Sequence, residues 1–240
     1  MLDHLDQLDH ATVGEIVARD FRAAAIFQRF GIDFCCGGRQ SIADAAAAKG
    51  VTLPSLVAEL QQLDTPSTSP VEQGSCADLI AHIVSVHHGY LRGALPSIGG
   101  YLQKLVAVHG ERHPELAPIE QRFTAVREEL DAHMYKEEHI LFPLIEQMER
   151  ASEGRAPVPA GPPIEAIVHV MESEHVDAGA GLVDMRALSQ GYETPADGCT
   201  TYGVCYAALA EFESDLHRHI HLENNILFPR AVALDARVRG

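Results

Sequence analysis

Two segments of this 240-residue chain repeat one pattern of potential ligands. The first reads HMYKEEHILFP from His133 to Pro143, and the second reads HIHLENNILFP from His219 to Pro229. Each segment places a glutamate four residues after its first histidine, and each ends in Ile-Leu-Phe-Pro. Residues four apart on an α-helix share one face, so the imidazole and the carboxylate would point the same way. Imidazole and carboxylate ligands together are typical of a transition-metal site.

Two solitary histidines repeat at nearly the same interval. The motifs begin 86 residues apart, at 133 and 219, and His88 precedes His175 by 87 residues. This regularity indicates two helix pairs in tandem, each with a solitary histidine followed by the His-x-x-x-Glu pattern. The predicted metal ligands are therefore four imidazoles and two carboxylates: His88, His133, Glu137, His175, His219 and Glu223.

The size and type of this ligand set favour a pair of metal ions. Six ligands exceed the four that a structural zinc ion takes, whereas two ions bridged by both glutamates would use them evenly. The set favours iron over manganese, and its spacing differs from the carboxylate-rich Glu-x-x-His motif of ferritin-like bundles. We predict a haemerythrin-like centre of two iron ions per chain, oxo- and carboxylate-bridged, with room for a diatomic or peroxide ligand. For either motif alone, the alternative is a solvated His–Glu pair on a helix face.

The ligand in the first helix is chosen from two adjacent histidines. His88 continues an apolar helical stripe with Val84 and Leu91, which matches the stripe around His175. His87 would lie about 100° away around the same helix. We therefore assign the ligand role to His88 and leave His87 as the alternative.

Other polar residues near the ligands receive less specific assignments. Glu129 lies one turn before His133, and Glu174 directly precedes His175. Either carboxylate could accept a hydrogen bond from a ligand, guide ions to the centre, or be a solvated charge. Two further histidines, His217 and His221, are assigned either to the surface or to the surroundings of the ligands. His82, His139 and His169 are assigned to the helix surface, because they have no matched partner.

A second group of potentially reactive residues is the pair of adjacent cysteines in DFCCGG, which ends at residue 38. We expect adjacent thiols not to chelate one metal readily, but Cys35 and Cys36 lie in a glycine-rich loop where a nearby helix N-terminus would favour thiolate. The alternative is that both are small buried residues in a tight turn. The other cysteines have no ligand spacing and are assigned structural roles: Cys76, Cys199 and Cys205.

The elements that must position these residues are predicted to be helices. Thr12 and Glu15 form a capping box that starts a first helix over 12–31. Two further short helices are predicted over 41–50 and 54–63. Beyond them, four long helical patterns predict an all-α, haemerythrin-like four-helix bundle; they cover about 75–109, 116–149, 164–189 and 200–234. The two prolines inside these patterns, Pro143 and Pro229, are expected to kink a helix or start a new segment.

A polar segment divides the chain into two predicted domains. Residues 65–74 read TPSTSPVEQG, which has no apolar period and is typical of a linker. We predict a small helical N-terminal domain with the Cys-Cys-Gly-Gly loop over 1–64, and the di-iron four-helix bundle over 75–240.

The composition excludes several classes of function. A net charge of -16 argues against binding to nucleic acid or to an anionic membrane surface. No apolar run approaches the roughly 20 residues of a membrane span, and the acidic start MLDHLDQLDH does not resemble a signal peptide. Five cysteines without a disulfide-scaffold pattern predict the reducing cytoplasm.

Taken together, the motifs resemble those of one family. DFCCGG, then MESEH and the two His-x-x-x-Glu motifs, are similar to the RIC (Repair of Iron Centers) di-iron proteins over almost the whole chain. The resemblance implies a cysteine-bearing N-terminal domain, a haemerythrin-like bundle, and repair of iron–sulfur clusters damaged by nitric oxide or oxidative stress. It implies the six ligands named above and acidic residues near the centre at Glu129 and Glu174. The additional His87 departs from the family pattern.

Three functions remain open at this point. The first is repair of damaged iron–sulfur proteins by supplying iron, by handling NO, or by both. The second is an O2- or NO-binding sensor or store, which would have no use for Cys35 and Cys36. The third is a di-iron enzyme that reduces NO or peroxide with an external electron donor. Whether the chain is an enzyme and whether it forms a homodimer are not decided by the sequence.

Overall fold

Within residues 11–63, the N-terminal part of the chain forms four short helices. The computed structural model describes residues 11–63 and 70–240. The four helices are α1 (Val13–Arg19), α2 (Arg22–Arg29), α3 (Ile42–Ala48) and α4 (Leu53–Leu60). The acidic start of the chain, 1–10, and residues 64–69, which include half of the predicted linker, lie outside the described residues.

The prediction of one helix over 12–31 is wrong, because the chain breaks between α1 and α2. The capping box of Thr12 and Glu15 starts α1 as predicted. At the other end of α1, Asp20 has an extended backbone (φ -156°, ψ 104°), and its carboxylate accepts a 3.0 Å hydrogen bond from the backbone N–H of Arg22. An aspartate that offers the backbone such an alternative partner interrupts a helix and starts the next one.

The four long helices of the bundle follow, and the predicted all-α fold is confirmed. A short helix, α5 (Pro70–Gln73), precedes them. The first bundle helix contains α6 (Cys76–His82), a π-helical turn (Ile83–His88) and α7 (Gly89–His109). The second contains α8 (Leu116–Lys136), a π-helical turn (Glu137–Leu141) and α9 (Phe142–Ser152). The third is α10 (Glu165–Leu188). The fourth contains α11 (Thr200–Leu222), a π-helical turn (Glu223–Leu227) and α12 (Phe228–Arg239). Within the described ranges there is no β-strand, although Thr12 and Ser41 form an isolated antiparallel bridge.

Each copy of the Ile-Leu-Phe-Pro segment ends a π-helical turn that starts at a predicted ligand. The N–H of Phe142 donates to the carbonyl of Glu137, and that of Phe228 donates to the carbonyl of Glu223, five residues earlier in both cases. The following prolines lie in the first turn of α9 and α12, where the missing N–H of proline costs no helical bond. The prolines therefore start new α-helical segments, and the widened turns before them carry the two carboxylates.

Two apolar clusters fill the bundle on either side of the predicted ligands. One cluster contains Leu130, Met134 and Ala178 and continues into the N-terminal helices, where it includes Phe27 and Phe34. The other contains Phe142, Met171 and Phe228. Along every bundle helix the predicted ligands fall between residues of the first cluster and residues of the second. The polar residues thus form one layer across an otherwise apolar core.

The described end of the predicted linker packs against the bundle. Glu72 in α5 is buried and forms an ion pair with Arg218, and its backbone carbonyl accepts a hydrogen bond from Arg230. Among the described residues, no helix has the length and apolarity required to cross a membrane.

Candidate metal centre

The six predicted ligands converge in two overlapping groups. One group, the His88 half, contains His88, His219 and both glutamates, Glu137 and Glu223. The other, the His175 half, contains His133, His175 and the same two glutamates. In each half the potential ligand atoms lie within 4.8 Å of one another, and all six residues are buried. Each half takes one histidine from each copy of the sequence repeat, so neither copy can build a half alone.

The imidazoles of each half face each other through one nitrogen. Nε2 of His88 lies 3.1 Å from Nε2 of His219, and Nε2 of His133 lies 3.0 Å from Nε2 of His175. In three of these rings Nδ1 has an acceptor of its own, which places the proton on Nδ1 and a lone pair on Nε2. When both rings are neutral, the Nε2 lone pairs of His133 and His175 face each other and repel, so a shared cation is the partner that this arrangement fits.

The two glutamates contact both halves, as bridging ligands must. Oxygens of Glu137 lie 3.2 Å from His133 Nε2 and 3.4 Å from His88 Nε2. Oxygens of Glu223 lie 3.0 Å from His219 Nε2 and 3.2 Å from His175 Nε2. Both oxygens of Glu137 and one of Glu223 are nevertheless buried without a hydrogen bond from the described part of the chain. Buried carboxylate oxygens without donors are costly unless a cation takes the place of the donors, so the residues fit a metal pair.

Three of the four histidines are held in place by a side chain behind the ring. Nδ1 of His88 lies 2.6 Å from Glu138 Oε1, and Nδ1 of His133 lies 2.7 Å from Glu174 Oε2. Nδ1 of His175 lies 2.8 Å from Oδ1 of Asn224. In contrast, Nδ1 of His219 is buried and has no hydrogen-bond partner among the described residues. Such outer partners orient a ligand ring and set its tautomer.

The buried histidines and glutamates of this layer influence each other's pKa values. Burial opposes protonation of His133, but the neighbouring carboxylates, Glu137 foremost, raise its pKa to about 9. Burial and the charge of Glu223 oppose ionisation of Glu137, yet the histidines beside it hold its pKa below the ordinary value. The buried carboxylates therefore attract protons onto His88 and His133, whose pKa values are both raised, and a metal ion would replace those protons.

The repeated phenylalanines pack on the solitary histidines. The ring of Phe142 stacks on that of His88 with a centroid separation of 5.9 Å, and Phe228 stacks on His175 at the same distance. Each Ile-Leu-Phe-Pro segment thus supports a ligand on the neighbouring helix of its own repeat. This contact explains why the aromatic residue recurs together with the histidine and the glutamate.

The remaining histidines divide into buried and exposed residues. His87 lies outside both ligand groups; its Nδ1 is 2.9 Å from Asp215, and its ring stacks on His219. Of the two alternatives for His221, the surface is wrong, because the N-terminal helices cover this residue and its ring lies 5.6 Å from that of Phe21. His217 is half-buried beside Phe34 in the same contact. His139 and His169 are exposed as predicted, and His82 is half-buried.

The two acidic residues and the other cysteines differ in their surroundings. Glu174 contacts a ligand, whereas Glu129 is exposed and makes no hydrogen bond to a ligand within the described ranges, as expected of a solvated charge. Sequence reasoning missed Glu138 and Asn224, which occupy the same position in the two motifs, directly after the repeated glutamate. Their equivalent positions in the two motifs could have identified both residues from the sequence. Cys76 and Cys205 are buried as expected, whereas Cys199 is exposed.

The cysteine loop lies against the His175 half. The thiol of Cys36 donates to the backbone carbonyl of His175 at 3.4 Å, and Nδ2 of Asn224 donates to the carbonyl of Cys35 at 3.2 Å. The N-terminal helices are therefore docked with both cysteines beside a predicted ligand.

Comparison with known proteins agrees with this geometry. Residues 79–231 match the family model described as hemerythrin HHE cation binding domain, and residues 9–64 match one described as a domain of unknown function, DUF542. The chain is 38% identical over 227 residues to "Iron-sulfur cluster repair protein YtfE" of Musicola paradisiaca, in an alignment that covers 94% of this chain and 97% of the relative. It is 37% identical over 225 residues to the protein of the same name from Salmonella paratyphi B, which covers 92% and 96%.

The fold and the histidine–glutamate layer define a haemerythrin-type protein with an iron-binding bundle. The matches extend beyond that bundle and include the cysteine-bearing N-terminal segment. The chain belongs to the YtfE family of iron-sulfur cluster repair proteins, and the resemblance inferred from the motifs is confirmed.

Proposed function

We propose that this protein repairs iron–sulfur clusters damaged by nitrosative and oxidative stress, and that it does so with two iron ions held by the six buried ligands. The names of its relatives support the repair function. The observation that carries the proposal is the pairing of four imidazoles around two shared carboxylates. A site for one ion would not need two facing pairs of Nε2 atoms or two glutamates that each contact both pairs.

The side chains of the centre have distinct tasks in this proposal. His88 and His219 would hold one ion and His133 and His175 would hold the other, with Glu137 and Glu223 shared between the halves. Iron held there would supply coordination positions for NO or O2 and would itself be the cargo of repair. Glu138, Glu174 and Asn224 keep three rings oriented, so their Nε2 lone pairs stay directed at the ions. The apolar clusters on both sides exclude water from the layer.

The domain organisation and location are part of the proposal. We assign residues 1–64 to the cysteine-bearing domain, 65–74 to the linker and 75–240 to the bundle; the two family matches, 9–64 and 79–231, agree with this division. All five cysteines are free, which supports function in the reducing cytoplasm. The expected partners are damaged iron–sulfur proteins.

The test is restoration of a damaged cluster by the purified protein. An iron–sulfur enzyme inactivated with NO should regain activity when the iron-loaded chain is added. His133→Ala should lose most bound iron and this restoring ability, whereas the exposed His139→Ala should retain both. If the His133→Ala variant keeps full iron and full repair, the ligand assignment is incorrect.

The cysteine loop separates repair from simple storage or sensing. Its docking beside His175 favours repair, because a carrier of O2 or NO has no use for thiols at that place. The Cys35→Ser and Cys36→Ser variants should keep their bundle iron and lose repair. Undiminished repair in both variants would favour a centre that acts without the thiols.

A further inference from the structure

The loop between α2 and α3 brings three potential ligand atoms together outside the bundle. Asp33, Cys35 and Cys36 each offer one oxygen or sulfur atom, and these atoms lie within 4.8 Å of one another. The two sulfurs are 3.8 Å apart. Two sulfurs bound tetrahedrally to one ion through bonds of about 2.3 Å have nearly this separation. This spacing would allow both sulfurs to bind one ion, although we expected adjacent thiols not to chelate one metal readily.

Asp33 gives the loop its shape. Its Oδ1 accepts hydrogen bonds from the backbone N–H groups of Cys35 and Cys36, both at 3.0 Å, and from the thiol of Cys35 at 3.2 Å. Successive side chains usually diverge, but here both cysteines wrap around one carboxylate. The arrangement therefore presents two sulfurs and an oxygen to the same point.

The three residues differ in exposure in a way that suits loading and release of an ion. Asp33 is exposed, Cys36 is half-buried and Cys35 is buried. Cys35 thus supplies a buried sulfur, and Cys36 supplies a sulfur nearer to solvent. An ion could approach from the side of Asp33 and be held by the buried sulfur.

One asparagine connects this loop to the metal centre. Asn224 accepts from His175 Nδ1 through Oδ1 and donates to the carbonyl of Cys35 through Nδ2. The thiol of Cys36 also contacts the backbone of His175. No such contact joins the described loop residues to His88 or His219, so the loop serves the His175 half alone.

A second asparagine fixes the loop on the bundle. Nδ2 of Asn225 donates to the carbonyl of Phe34 at 3.1 Å. A β-carbon on Gly14 or on Gly38 would lie only 2.3 Å from Oδ1 of Asn225. The close approach of the loop to Asn225 therefore requires glycine at both positions.

We propose that Asp33, Cys35 and Cys36 form a second metal site, which exchanges an iron ion with the His175 half. The inference rests on the proposed function, in which iron is the cargo. Thiolate ligands select soft and borderline cations over Mg²⁺ and Ca²⁺. Three protein ligands leave a fourth tetrahedral position free, and a site that passes its ion on requires such a position.

The transfer conserves charge and oxidation state. As Fe²⁺ binds to the loop, water ligands leave the ion, two iron–sulfur bonds and one iron–oxygen bond form, and the two thiols release two protons to water. When the ion leaves for the bundle or for a damaged cluster, both thiolates take up protons again. No electron is transferred, so the step needs no oxidant or reductant.

The test uses Co²⁺ as a spectroscopic probe for Fe²⁺ in the full-length, metal-free chain. The bundle pair contributes no thiolate ligands, so near-ultraviolet thiolate-to-cobalt charge-transfer absorption reports the loop site. We expect this band together with one more cobalt ion than the bundle holds. Cys35→Ser and Cys36→Ser should each lose the band and the additional ion but retain the bundle ions. Asp33→Asn should lower the affinity for the additional ion. Cys199→Ser, which removes an exposed thiol elsewhere, should change nothing.

Exchange is tested by the release of Fe²⁺ to a chelator. Release should have two phases, one for each half, and Cys36→Ser should slow only the phase of the His175 half. Equal rates for variant and parent overturn the exchange. Absence of the charge-transfer band, or its persistence in both cysteine variants, overturns the loop site and leaves the proposed function standing. A cobalt ion in the loop with none in the bundle would instead contradict the proposed function.

Discussion

The two halves of the metal centre are built from copies of the same motif, yet different groups stand behind their histidines. In the His88 half, Glu138 holds His88 and is itself paired with Arg92, while Nδ1 of His219 has no partner among the described residues. In the His175 half, both histidines have partners, and one of these, Asn224, extends to the N-terminal loop. One half is therefore closed within the bundle, and the other is connected to the cysteines.

The chemical basis of this difference is a single position of the repeat. Glu138 and Asn224 both follow the repeated glutamate directly. A carboxylate only accepts hydrogen bonds, whereas an amide accepts through its oxygen and donates through its nitrogen. Asn224 can therefore hold His175 and the carbonyl of Cys35 at the same time. At the next position, His139 is exposed in the first copy and Asn225 binds the loop in the second. The copies thus diverge where the N-terminal domain docks.

The largest expected effect is loss of iron from both halves at once, because each glutamate contacts both halves. Glu137→Ala and Glu223→Ala should each lose most of the iron of both halves, since each carboxylate contacts a histidine of each half. Metal analysis of the purified variants checks this, with His139→Ala as the matched control from the same motif. Loss of one ion only, from either glutamate variant, would show that the carboxylates do not bridge.

A smaller effect should distinguish the halves. Removal of an outer partner typically weakens metal binding roughly 10- to 100-fold. Asn224→Ala should therefore lower the affinity for the ion of the His175 half, and Glu138→Ala should lower the affinity for the ion of the His88 half. Competitive titration with a chelator measures both affinities. Only Asn224→Ala should also increase hydrogen exchange of the cysteine loop. The same pattern from both variants would mean that the halves are equivalent.

A third variant separates docking of the loop from metal ligation. Gly38→Ala would place a methyl group against Asn225, so overpacking should destabilise the docked loop by about 1–3 kcal/mol. Hydrogen exchange within 34–38 should rise, with only a slight weakening of the ion in the His175 half. Gly93→Ala provides the control, since a β-carbon there meets no other atom within 4 Å. Unchanged exchange in Gly38→Ala would show that the loop is not held by this contact.

The smallest effects concern the two acidic residues that the sequence assigned to the centre. Glu174→Gln retains an acceptor for His133 but removes its charge, so the affinity of the His175 half should fall by less than about 10-fold. Glu129→Gln should leave both affinities unchanged, because Glu129 is exposed. Competitive titration of the two variants side by side decides the matter, and a larger loss in Glu129→Gln than in Glu174→Gln would reverse the assignment.

The sequence predicted those features that depend on spacing within one helix. The repeat interval and the i, i+4 pattern were sufficient to select the six residues that the structure brings together, and helical periodicity was sufficient for the bundle. Apolar periodicity did not reveal the helix break at Asp20, because the break depends on a local hydrogen bond from the backbone of Arg22 to the carboxylate of Asp20. The π-helical turns were also not visible in the periodicity, since they add one residue to a turn without interrupting the helix.

Features that depend on contacts between elements could not be predicted from periodicity. For His221 the sequence leaves both the surface and the surroundings of the ligands open, because nothing in the fourth helix shows that the N-terminal helices cover it. Glu129 shares a helix face with His133, but the outer partner of His133 is Glu174 of another helix. Glu138 and Asn224 were detectable in principle, from their equivalent places in the two motifs, but their partners depend on distances between helices.

Metal analysis combined with Mössbauer spectroscopy of the purified, iron-loaded chain tests whether the bundle holds a pair of iron ions between its four helices. We expect about two irons per chain, antiferromagnetically coupled through their shared ligands. A single iron per chain, or two irons without magnetic coupling, would contradict this expectation.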